Sequence, residues 1–267
     1  MAATVVLITG ANTGIGFEIV RALSSSTKPY HIYVGARSSE KASNAIKAVQ
    51  EEFPSSASSY SSIVIDIEQD ELIQNAFQEI LSAHGKLDVL INNAGAQLET
   101  KLTSGEITTE RELWDRSWSV NTSSTQVVTS TFVPLLLKST DPRILFITSG
   151  TSTLAGSENQ AIPINHIPSA GWPKATESIR VRAYRSSKAG LNMLMREWHR
   201  ILKEDGVKVF GISPGYLATG LGGDASFNKE MGAGDPTVAG PFVRNVVEGQ
   251  RDADAGKILT RLGIQEW

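Results

Sequence analysis

Residues 4–16 read Thr4-Val5-Val6-Leu7-Ile8-Thr9-Gly10-Ala11-Asn12-Thr13-Gly14-Ile15-Gly16. Val5 to Ile8 is a continuous apolar run, the pattern of a strand buried on both faces. A glycine turn follows, and a helix-like run opens at once with Phe17, Ile19, Val20 and Leu23. Where strand, glycine turn and helix meet, backbone N–H groups and the helix dipole converge on a point that suits a pyrophosphate. Gly10, Asn12, Thr13, Gly14, Ile15 and Gly16 are therefore candidate dinucleotide contacts. The spacing is GxxxGxG rather than GxGxxG. A plainer reading of the glycines is that they only let strand and helix pack closely.

Outward from this point, short β-branched runs recur at His31–Val34, Ile63–Ile65, Leu87–Ile91, Ile144–Ile147 and Val207–Phe210. Helical periodicity separates them. Asp70 to Ala83 puts Leu72, Ile73, Ala76, Phe77 and Ile80 on one stripe, and Gly85 stops it. From about Ser178 to Asp205 the stripe is Leu191, Leu194, Met195, Trp198 and Leu202, closed by Gly206. Strands alternating with helices predict right-handed βαβ units and an α/β fold, a doubly wound parallel sheet flanked by helices. Residues 1–267 read as a single domain, with Ser55–Ser62 as a surface turn. Two stretches, 151–183 and 216–240, break the rhythm with glycines and prolines and read as loops over the substrate site.

Composition narrows the class. The 267 residues carry 25 Lys+Arg against 28 Asp+Glu, which gives no general field for nucleic acid or an anionic membrane. There is no cysteine, so disulfides, thiolate metal sites and a cysteine nucleophile are all excluded. The four histidines have no ligand spacing, and no metal is expected. The start, Met1 to Gly10, has no basic leader, and no apolar run approaches the roughly 18 residues of a membrane span. The expectation is a cytoplasmic enzyme with no nucleic-acid or membrane partner.

The second strand ends in Gly35-Ala36-Arg37-Ser38. A carboxylate there would hold the adenosine ribose and repel a 2′-phosphate, whereas an arginine does the opposite. Ala36 fills the carboxylate position and Arg37 follows it, so Arg37 and Ser38 point to NADP(H). The plainer alternative is a solvated strand-end charge. Asp66, with Ile67, closes the third strand and is placed to accept from the adenine amino group. Asn93, Ala94 and Gly95 follow the fourth strand, and their size permits close approach to the adenosine side.

Tyr184 and Lys188 stand four residues apart on a predicted helix and share one face. A phenol of ordinary pKa near 10 is a poor base, and an ammonium one turn away has the right sign to lower it. Ser149 closes the preceding strand, and Asn121 lies mid-helix in Ser119-Val120-Asn121-Thr122.

With these residues in order over 4–220, the sequence resembles the short-chain dehydrogenase/reductase family, single-domain type. The resemblance implies a Rossmann-type fold, with Tyr184 as general acid/base and Ser149 holding the substrate oxygen. It implies that Lys188 binds the nicotinamide ribose and lowers the tyrosine pKa, and that Asn121 positions a water in a proton relay. Pro214-Gly215-Tyr216-Leu217-Ala218-Thr219 matches the family's motif after the sixth strand, where Thr219 and nearby backbone, including Pro214, Gly215 and Leu217, hold the carboxamide. The spacing from Ser149 to Tyr184 exceeds that of compact members, so residues near 154–180 are an insertion, similar in place to that of monomeric carbonyl reductases. The usual tetramer of the family is therefore not expected, and a monomer or dimer is.

The implied activity is NADPH-dependent reduction of a carbonyl to a secondary alcohol. Apolar residues on the two loops, among them Leu154, Ile167, Trp172, Leu221 and Phe227, suggest a bulky lipophilic small-molecule carbonyl or alcohol. Two readings stand beside it: a cofactor-binding sensor, and a non-redox pathway enzyme on the same scaffold. Trp114, Trp118 and Trp198 read as core or interface residues and Trp172 as the candidate pocket aromatic. Arg180, Arg182 and Arg185 read as exposed helix charges or as contacts to an acidic substrate group.

Overall fold

The computed structural model describes residues 3–175 and 181–267. Seven strands run parallel: β1 (Thr4–Ile8), β2 (Tyr30–Ala36), β3 (Ser59–Val64), β4 (Val89–Asn92), β5 (Arg143–Ile147), β6 (Lys208–Ile212) and β7 (Ile258–Thr260). An eighth, β8 (Gly263–Gln265), returns antiparallel to β7. The sheet order is β3-β2-β1-β4-β5-β6-β7-β8, so the winding direction reverses where β1 lies between β2 and β4. In a doubly wound sheet the ligand crevice opens at the carboxyl ends of the strands beside that reversal.

The strands are apolar on both faces because each face is covered. In β1, Val5 and Leu7 enter one core, while Val6 and Ile8 enter the other. The first core receives Ile73 from α3 (Asp70–His84), Phe132 from α6 (Ser124–Leu136), and Leu191, Met195 and Trp198 from α7 (Arg182–Leu202). The second receives Ile19 and Leu23 from α1 (Gly14–Ser24), Val49 from α2 (Ser39–Glu52), and Val243 and Val246 from α9 (Ala239–Val247). Gly85 ends α3 with φ 68°, a left-handed cap that glycine adopts without Cβ strain.

Between β4 and β5 the chain makes α4 (Glu99–Ser104) and α5 (Glu110–Trp118), then one π-helical turn, Ser119–Ser123, that runs directly into α6. Widened turns of this kind displace a helix's register locally and often mark functional positions. Asn121, expected in an ordinary helix, lies in this turn.

Three expectations change. Ser59–Ser62 belong to β3 rather than to a surface turn; β3 is an edge strand, and its Ser59 and Ser61 hydroxyls bond the two ring nitrogens of His31 at 2.9 and 3.1 Å. Residues 216–240 are not loop throughout: α8 (Ala225–Glu230), capped by Asp224, interrupts them, and α9 begins at Ala239. The C-terminal segment, unassigned from sequence, adds β7 and β8. Arg143, Asp141, Lys208 and Asp252 tie it to the amino ends of β5 and β6, with Lys208 Nζ 2.7 Å from both carboxylates. The expected start of the long helix near Ser178 lies outside the described residues; within them α7 begins at Arg182.

Candidate active site

The turn after β1 has the geometry its glycines require. Gly10 and Gly14 have φ 62° and 56°, left-handed values at which a side chain would strain the backbone. A Cβ on Gly16 would stand 2.4 Å from the Gly10 carbonyl oxygen, so Gly16 serves the close packing of the turn. Thr9 and Asn93 lash this turn to β4. The Thr9 hydroxyl accepts from the Asn93 and Ala94 N–H groups at 3.0 Å, and Asn93 Nδ2 donates to the Thr9 and Gly10 carbonyls at 2.8 and 3.0 Å.

From this turn a cavity of about 800 Å³ runs along the strand ends. One end is lined by Gly10, Asn12, Thr13, Gly14, Ile15, Arg37, Asp66 and Ile67, and its middle by Asn93, Ala94 and Gly95. The other end holds Ser149, Tyr184, Lys188, Pro214, Gly215 and Thr219. Arg37 is exposed to solvent at the rim. Asp66 accepts from the Glu68 N–H at 3.1 Å and from Gln69 Nε2 at 3.2 Å, so its carboxylate also shapes its own turn. Four of the sequence candidates lie behind the wall instead of on it. Gly16 packs the turn, and Ser38 caps α2, accepting from the Lys41 N–H at 3.4 Å. Leu217 is buried in a bridge to Gly234, and Asn121 is fully buried.

At the reacting end, Tyr184 is the third residue of α7 and Lys188 follows one turn on, its Nζ 6.0 Å from the phenol ring centre. Lys188 Nζ donates to the Ile147 carbonyl at 2.8 Å, and burial pulls its pKa down to about 8. Burial pushes the Tyr184 phenol up to about 12; a hydrogen bond with the Ser149 hydroxyl opposes that shift and the Glu99 charge adds to it. At neutral pH the phenol carries its proton. Ser149 is set at the end of β5, its Oγ accepting from the Thr151 N–H at 3.2 Å. Beneath, Asn121 accepts from the Ala96 N–H at 3.0 Å and donates to the Ala96 carbonyl at 2.8 Å and to Ser187 Oγ at 3.0 Å.

Comparison with known proteins follows this geometry. The short chain dehydrogenase family profile matches residues 4–161 and 174–230. The chain is 46% identical to the short-chain dehydrogenase/reductase eupG of a Phoma species, covering 98% of this chain and 97% of that one. It is 45% identical to the short-chain dehydrogenase/reductase tropE of Talaromyces stipitatus, covering 97% and 95%. Its fold is similar to that of the NADPH-bound carbonyl reductase from chicken fatty liver, with a TM-score of 0.77 over 100% of both chains at 21% identity. The chain belongs to the short-chain dehydrogenase/reductase family.

In this family member arginines of α7 hold neighbouring parts of the fold, Arg185 the stretch after Ser149 and Arg182 the start of α5. Arg185 donates from Nε to the Thr151 carbonyl at 2.9 Å and from Nη2 to Asn165 Oδ1 at 2.9 Å, and Arg182 pairs with Glu110 at 3.1 Å. Both were candidates for an acidic substrate group and both are engaged within the protein; Arg180 lies outside the described residues. Trp198 is buried, Trp118 packs over Gly190, and Trp172 is exposed and does not line the cavity. No helix among the described residues is long and apolar enough to cross a membrane.

Sequence reasoning missed three site residues of this dehydrogenase/reductase. Gln97 lines the cavity and lies directly against Gly222, where a Cβ would stand 2.3 Å from the amide oxygen; the glycine density of 220–223 was the available signal. Gln265 donates to the Ser149 carbonyl. Glu99 is buried and accepts from the Tyr184 N–H. The last two act across 116 and 85 residues, separations that leave no local pattern.

Proposed function

We propose that this chain is an NADPH-dependent carbonyl reductase that converts a bulky, lipophilic ketone to a secondary alcohol. The observation that carries the reading is the opening of Ser149, Tyr184 and Lys188 onto the cavity whose other end is the glycine turn and Arg37. The fit of a dinucleotide rests on the turn itself. Its glycines leave the backbone bare at the start of α1, and the volume falls within the range of about 300–1,000 Å³ usual for ligand sites. When bound, the nicotinamide supplies the hydride.

The chain's residues supply the rest. Ser149 holds the carbonyl oxygen, and Tyr184, protonated at neutral pH, gives that oxygen its proton as charge develops there. Lys188, its pKa lowered to about 8 and its ammonium fixed on the Ile147 carbonyl, stands beside the phenol and would hold the nicotinamide ribose. Arg37 favours a 2′-phosphate by charge-assisted hydrogen bonding. Tyr216 and Phe227 are exposed on the segment after β6, and Leu221 of that segment lines the cavity, which supports a lipophilic substrate. The likeness to an NADPH-bound carbonyl reductase agrees with this reading.

The test is Tyr184→Phe, assayed as NADPH consumption over a panel of aliphatic ketones, aromatic ketones and phenanthrenequinone. Turnover should fall about 100-fold or more while NADPH affinity stays near wild type. Retention of most turnover removes the assignment.

A further inference from the structure

We infer that Glu99 is a positioning residue for the proton donor, holding Tyr184 in register with the wall of the substrate cavity. This inference rests on the reductase reading above. Among the described residues the amino end of α7 has no local cap: Val181 offers no side-chain acceptor, and no acidic residue lies in the first turn. The acceptor comes from α4 instead. Glu99, its first residue, directs Oε1 to the Tyr184 backbone N–H at 2.9 Å.

Burying a carboxylate is costly unless its partners are worth the desolvation. Glu99 is only 6% exposed, and among the described residues its Oε2 has no hydrogen-bond partner. For bare helix capping, a serine or aspartate at the cap position would serve at less cost. What a local cap would not provide is a link to the cavity wall. Leu98 and Thr100, on either side of Glu99, both line the cavity. The same segment is tied to α7 a second time, because Asn121 bonds Ala96 in both directions and also bonds Ser187. Segment 96–100 is thus clamped to α7 at Tyr184 and Ser187, one turn apart. The clamp fixes the distance between the wall that a substrate would touch and the phenol that would protonate it.

The experiment compares Glu99→Ala, Glu99→Gln and Glu99→Asp in the same carbonyl panel, at a temperature where circular dichroism shows each folded. Glu99→Ala should lower kcat about tenfold or more with KM for NADPH within about twofold of wild type, because misplacement of a reacting group acts on the chemical step. Glu99→Gln keeps an acceptor at the same reach and should restore kcat to within about threefold. Glu99→Asp withdraws the acceptor by one methylene and should behave like Glu99→Ala; it decides the matter alone if the alanine variant does not fold. A cap serving only stability would lower Tm and leave kcat intact, and that result overturns the inference. Equal loss in the glutamine and alanine variants overturns it too. Wild-type turnover that is lost in Tyr184→Phe but kept in Glu99→Ala removes this inference alone. Absence of wild-type turnover across the panel removes the reductase reading, and this inference with it.

Discussion

Gln265 donates from Nε2 to the carbonyl oxygen of Ser149 at 3.2 Å, so the last strand of the sheet holds a residue two positions beyond β5. The same C-terminal stretch grips the following turn, with the Trp267 carbonyl accepting from the Ala155 N–H at 2.7 Å. Ser149 is therefore held by β8 as well as by the turn that follows β5. Gln265→Ala should cost about 1 kcal/mol of stability for the lost hydrogen bond and lower Tm by a few degrees. If Ser149 holds the substrate oxygen, the variant should also raise carbonyl KM or lower kcat several-fold without changing NADPH affinity. Steady-state kinetics beside a fluorescence titration would check this, and unchanged kinetics would limit the contact to a structural role.

Gly16→Ala tests the glycine turn. The added methyl would meet the Gly10 carbonyl oxygen at 2.4 Å and Ala11 Cα at 2.9 Å, both backbone atoms that cannot rotate away. Overpacking of this kind costs about 1–3 kcal/mol and shifts backbone. NADPH affinity should fall at least tenfold, read by quenching of protein fluorescence, and Tm should fall with it. Wild-type affinity would mean that the turn does not hold the phosphates.

Most of the sheet was legible because β1, β4, β5 and β6 are buried on both faces and read as apolar runs. The glycine turn and the Tyr184–Lys188 pair were legible because the members of each motif lie within a few residues of one another, where spacing is geometry, although the groups they contact, such as Ile147 for Lys188, lie far away in sequence. β3 was read short because an edge strand tolerates serines, and β7 and β8, at three residues each, carry too little pattern. The sequence also could not show what burial does to Tyr184 and Lys188. A lysine beside a tyrosine suggests a lowered phenol pKa, but desolvation moves the phenol up and the ammonium down.

Arg37 tests the choice of cofactor. It stands exposed at the cavity rim, next to Ala36 where a carboxylate would exclude a 2′-phosphate. A charge-assisted contact is worth roughly 1.5–3 kcal/mol, or about ten- to a hundredfold in affinity. Arg37→Ala should erase a preference for NADPH over NADH while leaving NADH affinity unchanged. Parallel titrations decide it: equal wild-type affinities for the two would mean that Arg37 faces solvent and would move the search to NAD-linked oxidation of alcohols.

Lys188 gives a pH dependence whose sign is fixed. Burial lowers its pKa from the ordinary 10.5 to about 8, so between these values the unfolded chain binds more protons than the folded one. The contribution of Lys188 to stability therefore rises with pH across that window; below pH 8 the full penalty of burying the charge applies, about 3 kcal/mol from a shift of this size. Lys188→Met removes the penalty while keeping most of the volume. It should be more stable relative to wild type at pH 7 than at pH 10, the Tm difference narrowing as pH rises through 8. Differential scanning fluorimetry across this range would read it, and a difference independent of pH would mean that the ammonium is solvated in the folded protein. The same variant should lose carbonyl reduction, since the group beside the phenol is gone, and the two effects together separate the chemical role of Lys188 from its cost to the fold.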